Sequence, residues 1–300
     1  MKWMELSIRA PSEFVEPLVY IFQRYGHSGV AIEEDGGFDP DDTTTPAPSP
    51  VSVILRTYLP MGTRYKSRKA MIDVGIRLVS LIHPLGSPQE RVLKESEWED
   101  AWKEHFTLLK IGQRTVVRPP WESYSPERNE VTIELDPGMA FGTGHHPTTR
   151  MCLEELEVLI QPKQTVLDVG TGSGILAIAA SKLGASSVLA MDIDKISTRV
   201  ARRNIRVNGV VRGIKVLQGN ITETGKITNV FSIVIANINA KIISQNAKNL
   251  TALMAPGAIL LASGIILEHL YETKEALSVA GLKVVRQHQD GDWFTLVMRN

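Results

Sequence analysis

Residues 166–176 read Val166-Leu167-Asp168-Val169-Gly170-Thr171-Gly172-Ser173-Gly174-Ile175-Leu176. An apolar strand runs here into a glycine-rich turn and then into a helix. Glycine adopts dihedrals closed to other residues and lets a ligand approach the backbone, while a helix start offers unpaired N–H groups. A nicotinamide dinucleotide loop wants Gly-x-Gly-x-x-Gly, and Ile175 stands where its third glycine belongs. A P-loop needs Gly-Lys-Ser/Thr after the turn, and the sequence has none there.

The following strand narrows the choice. It ends in Met191-Asp192-Ile193-Asp194, which places Asp192 at the tip of the second strand. A carboxylate there can accept both ribose hydroxyls of an adenosine, and Asp194 suits the cap of the next helix. Asp168 can orient the turn or a ligand's ammonium group, or make only a local turn-stabilising hydrogen bond.

Downstream of the turn, strands and helices alternate: strand 165–169, helix 174–184, strand 187–192, helix 195–208, strands 214–218 and 231–236, helix 240–254, strand 258–263 and helix 266–280. Alternation of this kind predicts an α/β fold with a parallel sheet covered on both faces. Strands 282–288 and 293–299 follow each other through Asp290-Gly291-Asp292, a hairpin signal, so the final strand runs antiparallel.

Upstream, segments 2–9, 29–34, 51–58 and 90–95 read as strands with helices between them. Phe14, Val15, Leu18, Val19 and Phe22 share one helical face, although Pro17 implies a late start or a kink. A second helix at 66–80 puts Ala70, Val74, Leu78 and Leu81 on one side. The order βαββαβ points to a small α+β ferredoxin-like domain over 1–95. Residues 96–130 read as a linker whose Trp98, Trp102 and Phe106 follow helical spacing, and 131–300 as the α/β domain. Residues 38–50, rich in proline, hydroxyls and acids, read as a flexible loop.

The chain has 33 Lys+Arg and 33 Asp+Glu, with 11 basic and 15 acidic residues in the first hundred. Zero net charge argues against non-specific nucleic-acid binding, and no dedicated nucleic-acid site is expected. Glu33, Glu34, Asp35, Asp39, Asp41 and Asp42 give the first third its acidity and can steer a basic partner, or simply solvate a loop. Cys152 is the single cysteine, so no internal disulfide forms and a structural thiol in a cytoplasmic, monomeric protein is expected. Apolar runs fall far short of the roughly 20 residues a bilayer crossing needs, so no membrane contact is expected.

The glycine turn, the acid ending the second strand and the terminal hairpin together resemble the class I S-adenosylmethionine-dependent methyltransferases. That resemblance spans roughly residues 148–300 and implies a seven-stranded Rossmann-like sheet with an antiparallel final strand. Just before it lies Leu135-Asp136-Pro137-Gly138-Met139-Ala140-Phe141-Gly142-Thr143-Gly144-His145-His146-Pro147-Thr148-Thr149. On this segment the chain is similar to the ribosomal protein L11 methyltransferase family. The similarity extends through 172–180, Ala236-Asn237-Ile238, Ser263-Gly264-Ile265, Trp293, Trp98 and Pro120-Trp121.

Membership of that family implies that Thr149, Gly170, Asp192 and Asn237 bind S-adenosylmethionine, to which the glycine turn adds Asp168, Gly172 and Gly174. It further implies that Phe141, Gly142, Thr143 and Gly144 form a flexible loop over the cofactor. The N-terminal domain would recognise ribosomal protein L11, free or on the large subunit, and swing relative to the catalytic domain. Products would be methylated lysine side chains and a methylated N-terminal α-amine.

Asn237 has an independent rationale as the catalytic residue. It ends the fourth strand, on the carboxyl edge where open α/β sheets bind ligands. Its amide oxygen can accept from an amine and aim the lone pair at a methyl group. The amine must first be neutral, and a lysine with a reference value of about 10.4 loses its proton more readily when desolvated. No dedicated base stands out.

Asn239 departs from the family's usual Asn-Ile-Leu-Ala and is either a polar group beside the target pocket or a helix cap. His145-His146 does not suggest a metal, because adjacent histidines rarely face one centre and no further ligands complete a shell. Arg199, Arg202, Arg203 and Arg206 share one side of a helix, as a solvated face or as a contact for RNA or the cofactor's surroundings.

Overall fold

The computed structural model describes residues 2–35, 52–95, 97, 107–136, 144–223 and 230–300. The expected flexible loop at 38–50, the acids Asp39, Asp41 and Asp42, and the aromatic segment from Trp98 to Phe106 lie outside the described residues. The chain divides into two compact units, one up to Thr107 and the other from Leu108 onward.

The first unit is built from β1 (Lys2–Pro11), α1 (Val15–Tyr25), β2 (His27–Asp35), β3 (Ser52–Pro60), α2 (Tyr65–Ser80) and β4 (Gln89–Lys94). Its strands pair antiparallel in the order β2-β3-β1-β4. Pro17 falls in the first turn of α1, where an N–H would have no intrahelical partner, so the helix accommodates it. Phe14, Val15, Leu18, Val19 and Phe22 are all buried, as their spacing predicts.

Helix α2 corrects the expectation from its apolar spacing. Its buried residues are Ile72, Gly75, Ile76 and Val79, whereas Ala70, Val74, Leu78 and Leu81 face water. The inward face is the apolar stripe Ile72, Ile76 and Val79, and beside it lies Gly75, where a Cβ would stand 2.8 Å from Ile21 of α1.

The second unit opens with three short strands, β5 (Leu109–Ile111), β6 (Thr115–Arg118) and β7 (Val131–Glu134), forming their own sheet. Residues 109–111 and 115–118, within the stretch 96–130 read from the sequence as a linker, are strands of this sheet. Then follow α3 (Pro147–Leu159), β8 (Thr165–Val169), α4 (Ile175–Leu183), β9 (Ser187–Asp192), α5 (Lys195–Val207), β10 (Ile214–Gln218) and β11 (Phe231–Asn237). The chain continues through α6 (Ala240–Gln245), α7 (Ala247–Leu253), β12 (Met254–Ile266), α8 (Leu267–Val279), β13 (Lys283–Asp290) and β14 (Trp293–Arg299). The expected helix 240–254 is thus two helices.

Seven strands form one sheet in the order β10-β9-β8-β11-β12-β14-β13. Neighbours are parallel from β10 to β12, and β14 is antiparallel to both β12 and β13. This mixed seven-stranded sheet matches the expected α/β fold. Each central strand is buried on both faces, because successive side chains point opposite ways. Val166, Ile233, Ile235, Ile259, Leu261 and Val297 pack with α3 and α4. Leu167, Val234, Ala236, Leu260, Ala262 and Leu296 pack with α6, α7 and α8.

Long-range polar contacts attach the small sheet to this frame. Glu157 of α3 accepts the backbone N–H groups of Gln113, Arg114 and Thr115 at 2.7, 2.9 and 2.7 Å. Gly112 lies within the same cradle at φ 61°, where a Cβ would meet the Glu157 carboxylate at 2.6 Å. Asn208 receives the Glu134 N–H and donates to the Glu134 carbonyl.

Charge-assisted hydrogen bonds contribute roughly 1.5–3 kcal/mol each in favourable settings, and partly exposed ones less. Glu157→Ala leaves three amides without their acceptor and is expected to lower stability by about 2–3 kcal/mol. The urea midpoint of the full chain measures this; an unchanged midpoint would show that water replaces the carboxylate without loss.

Candidate active site

Parallel strands bring their carboxyl ends to one edge of the sheet. In register, Val169 of β8 lies between Met191 of β9 and Ala236 of β11, and Asn237 lies beside Ser263 of β12. Strand order reverses between β8 and β11, the crevice where open α/β sheets hold ligands. Gly170, Asp192 and Asn237 all stand at this edge.

Gly170, Gly172 and Gly174 adopt φ of 71°, 53° and 85°, a region that strains residues with a Cβ. The N–H groups of Gly170 and Thr171 both donate to the Met191 carbonyl, at 2.9 and 3.0 Å, which pulls the turn onto β9. Gly174 caps α4, and a Cβ there would lie 3.2 Å from that of Ala201 on α5. The glycines thus set packing as well as conformation.

Two glycines also place the end of β11. A Cβ on Gly170 would come within 2.2 Å of Cγ2 of Ile238, and one on Gly264 within 2.4 Å of the Ile238 carbonyl oxygen. Ile238 is held between them, and Asn237 is its neighbour. Next along the chain, Asn239 accepts the Lys241 N–H at 3.0 Å. It caps α6, which resolves its two sequence readings in favour of the cap.

Asp192 braces the turn directly. Its Oδ2 accepts from the Gly172 N–H at 3.0 Å and its Oδ1 from the Asp194 N–H at 2.9 Å. The same side chain also lines the cavity at this edge. Burial raises its carboxyl above the ordinary aspartate value, against the pull of those backbone amides. Asp194 caps α5 as its position predicts, accepting from Ile196 and Ser197.

Asp168 is 1% exposed, and its Oδ2 accepts the Thr171 hydroxyl at 2.6 Å. The local turn-stabilising bond is therefore present. Burial lifts its carboxyl to about 7, assisted by the nearby charge of Asp192 and opposed by the Thr171 and Ala177 hydrogen bonds.

A cavity of ≈ 300 Å³ opens beside Asp192, lined by Gly170, Met191, Ile193, Ile221, Ile238 and Leu250 among others. It is an apolar slot with one carboxylate at its side, a form that suits a flat base joined to a diol.

Thr149 sits in the first turn of α3, wholly buried, with its Oγ1 3.5 Å from Nδ2 of Asn237. The residue beginning this helix carries no assigned role in the sequence reading, and the structure gives it one. His146 is the N-cap, its Nδ1 3.4 Å from the Thr148 N–H and 2.7 Å from the Thr148 hydroxyl. Its ring meets Trp293 edge-on at 4.7 Å. Burial, with the Arg150 charge adding to it, lowers the imidazole to about 4, so it stays neutral and keeps the lone pair that the cap requires.

The detectable signal for this cap was His146-Pro147, since proline favours the first helical position. Behind Thr148, the Ser263 and Thr295 hydroxyls lie 2.6 Å apart. Cys152, buried in the same helix, has its thiol pushed up to about 12 by burial, consistent with a structural role. Gly144 is buried at φ 95°, against Val117, Ile175 and Leu109. Phe141, Gly142 and Thr143 lie outside the described residues.

The sheet order, the glycine turn and the carboxyl-edge crevice together define an α/β methyltransferase. A family model for ribosomal protein L11 methyltransferase matches residues 2–300. The chain belongs to the ribosomal protein L11 methyltransferase family. A relative of that name from Chloroflexus aurantiacus is 39% identical over 320 residues, covering 99% of this chain and 98% of its own. One from Pelotomaculum thermopropionicum is 40% identical over 309 residues, covering 100% and 99%. The crystal structure of a ribosomal protein L11 methylase from Lactobacillus delbrueckii subsp. bulgaricus is 33% identical with a TM-score of 0.60, covering 64% of this chain and 98% of its own.

The raised carboxyl of Asp168 makes a pH-dependent prediction. Its folded value lies above the unfolded one, so the folded chain holds the proton more tightly and loses relative stability as pH rises from about 4 through about 7. Asp168→Asn has no such loss. Its Tm relative to the parent chain should therefore rise between pH 5 and pH 8 in thermal melts; a constant difference would contradict the assignment.

Proposed function

We propose that this chain transfers methyl groups from S-adenosylmethionine to amines of ribosomal protein L11, namely lysine ε-amines and the N-terminal α-amine. The observation that carries this reading is Asn237 at the end of β11, beside Thr149 and level with the Gly170 turn. Family membership supplies the substrate class. A ribosomal substrate also favours a cytoplasmic setting, and among the described residues no helix is long and apolar enough to cross a membrane.

The residues present fit the cofactor. The Asp192 carboxylate lining the slot suits its ribose hydroxyls, the apolar slot suits its adenine, and Gly170 and Gly172 leave the backbone bare beside it. When bound, the cofactor supplies an activated methyl on a sulfonium, so the protein's task is mainly alignment. Thr149 and Asn237 then orient the incoming amine. The Asn237 Oδ1 accepts from the amine's N–H, which directs the lone pair away from the asparagine. A closed, weakly solvated crevice favours the neutral amine over the ammonium.

We also read the N-terminal unit as ferredoxin-like and as the part that recognises the ribosomal protein. The order β2-β3-β1-β4 with two helices supports the first statement.

Incubation of the purified chain with free L11 and S-adenosylmethionine should add whole methyl increments to L11 by intact-mass analysis. An unmodified substrate alongside normal cofactor binding would overturn the substrate assignment. Asn237→Ala is expected to cut transfer by about 100-fold or more, in line with loss of one positioned polar group, while the fold and Tm remain close to those of the parent.

A further inference from the structure

Helix α5 and strand β10 form one margin of the seven-stranded sheet, with β10 at its edge. Between residues 195 and 218 the sequence carries seven cations and no Asp or Glu, although the whole chain has 33 of each sign. Lys195, Arg199, Arg202, Arg203 and Arg206 lie on the helix, Arg212 and Lys215 beyond it, and all are exposed. Arg202 donates to the Val216 carbonyl at 3.0 Å, which joins the helix cations to those of the strand. Among the described residues, the acids seen at this margin are Asp136, 3.4 Å from Arg203, and the N-cap Asp194.

The arrangement works against the helix. Arginines three and four residues apart repel one another, and Lys195 stands at the positive end of the helix dipole. A face that needed only to be soluble would do better with opposite charges interleaved, and Lys195–Val207 holds no acid between its five cations. Zero net charge, from which no dedicated nucleic-acid site is expected, conceals this local excess.

We infer that the α5–β10 margin binds the phosphate backbone of RNA. Five of the seven cations are arginine and two are lysine, and each exposed positive charge can neutralise one backbone phosphate. From Arg199 to Arg206 the helix advances about 10 Å, a length over which a nucleic-acid duplex presents roughly six phosphates. The choice of RNA over other polyanions rests on the proposed ribosomal-protein substrate, since such a protein's own ligand is RNA. The cationic margin itself is independent of that reading.

Fluorescence anisotropy of the full chain with a labelled RNA hairpin of arbitrary sequence, between about 50 and 200 mM KCl, tests the inference. Affinity should fall steeply with salt. The combined variant Arg199→Gln, Arg206→Gln, Arg212→Gln and Lys215→Gln should bind at least about tenfold more weakly at low salt, with a log–log slope shallower by about three. Arg199→Lys, Arg206→Lys and Arg212→Lys together should retain binding within about fivefold, since charge is preserved. Methyl transfer to free L11 should be unchanged in both variants, so a failed substrate reading and a failed RNA reading are separable. An unaltered salt slope in the glutamine variant, loss of binding in the lysine variant, or equal competition by poly-L-glutamate would each overturn the inference.

Discussion

The space between Gly170 and Gly264 is filled by Ile238, and the site depends on that fit. Strands β8 and β11 end there, and Gly170 after β8 and Gly264 within β12 each give up a side chain where the chain leaves β11. A Cβ at either glycine would meet Ile238 within 2.4 Å. At Gly264 the overlap is with the Ile238 backbone and is relieved only by moving it, whereas at Gly170 it is with the side-chain Cγ2. Asn237 is bonded to the residue that would move. The positive φ at both glycines therefore belongs to the chemistry as much as to the turn.

Electrostatics reinforce this geometry from beneath. Asp168 and Asp192 hold the turn by opposite routes, one buried and bonded to Thr171, the other spanning two backbone amides. On the far side, helix α3 is tied to the last hairpin by Glu155, whose carboxylate meets Arg286 at 2.6 and 3.1 Å and His288 at 2.6 Å. Arg150 adds a second tie to Asp290 at 2.8 Å. The Glu155 side chain is 6% exposed, and removing one partner of such a buried group is costly because the other stays desolvated. These ties hold the helix that carries His146 and Thr149, so the site is braced by residues more than a hundred positions away in sequence.

That separation explains what the sequence revealed and what it withheld. The glycine turn, Asp192 and the Asp194 cap were legible because each follows from a local rule applied to a few neighbouring residues. The seven-stranded sheet followed from alternation and from the Asp290-Gly291-Asp292 hairpin. Helix α2 was misread because it carries two apolar stripes, and the one that packs is Ile72, Ile76 and Val79 with Gly75 beside Ile21, a choice made by the tertiary partner. Strands β5 and β6 are only three and four residues long, too short to show periodicity. Glu157, Glu155 and the two-glycine grip on Ile238 were invisible for one reason: each depends on a partner brought near only by the fold.

Strand β14 lies inside the sheet, between β12 and β13, although it comes after both along the chain. During synthesis β12 and β13 are made first, with no hydrogen-bonded partner on the sides that β14 will occupy. Exposed strand edges of this kind invite pairing with other molecules. Trp293, the first residue of β14, is also the ring against which His146 rests. The last strand made thus both fills the gap between two earlier strands and brings up the ring that packs against His146.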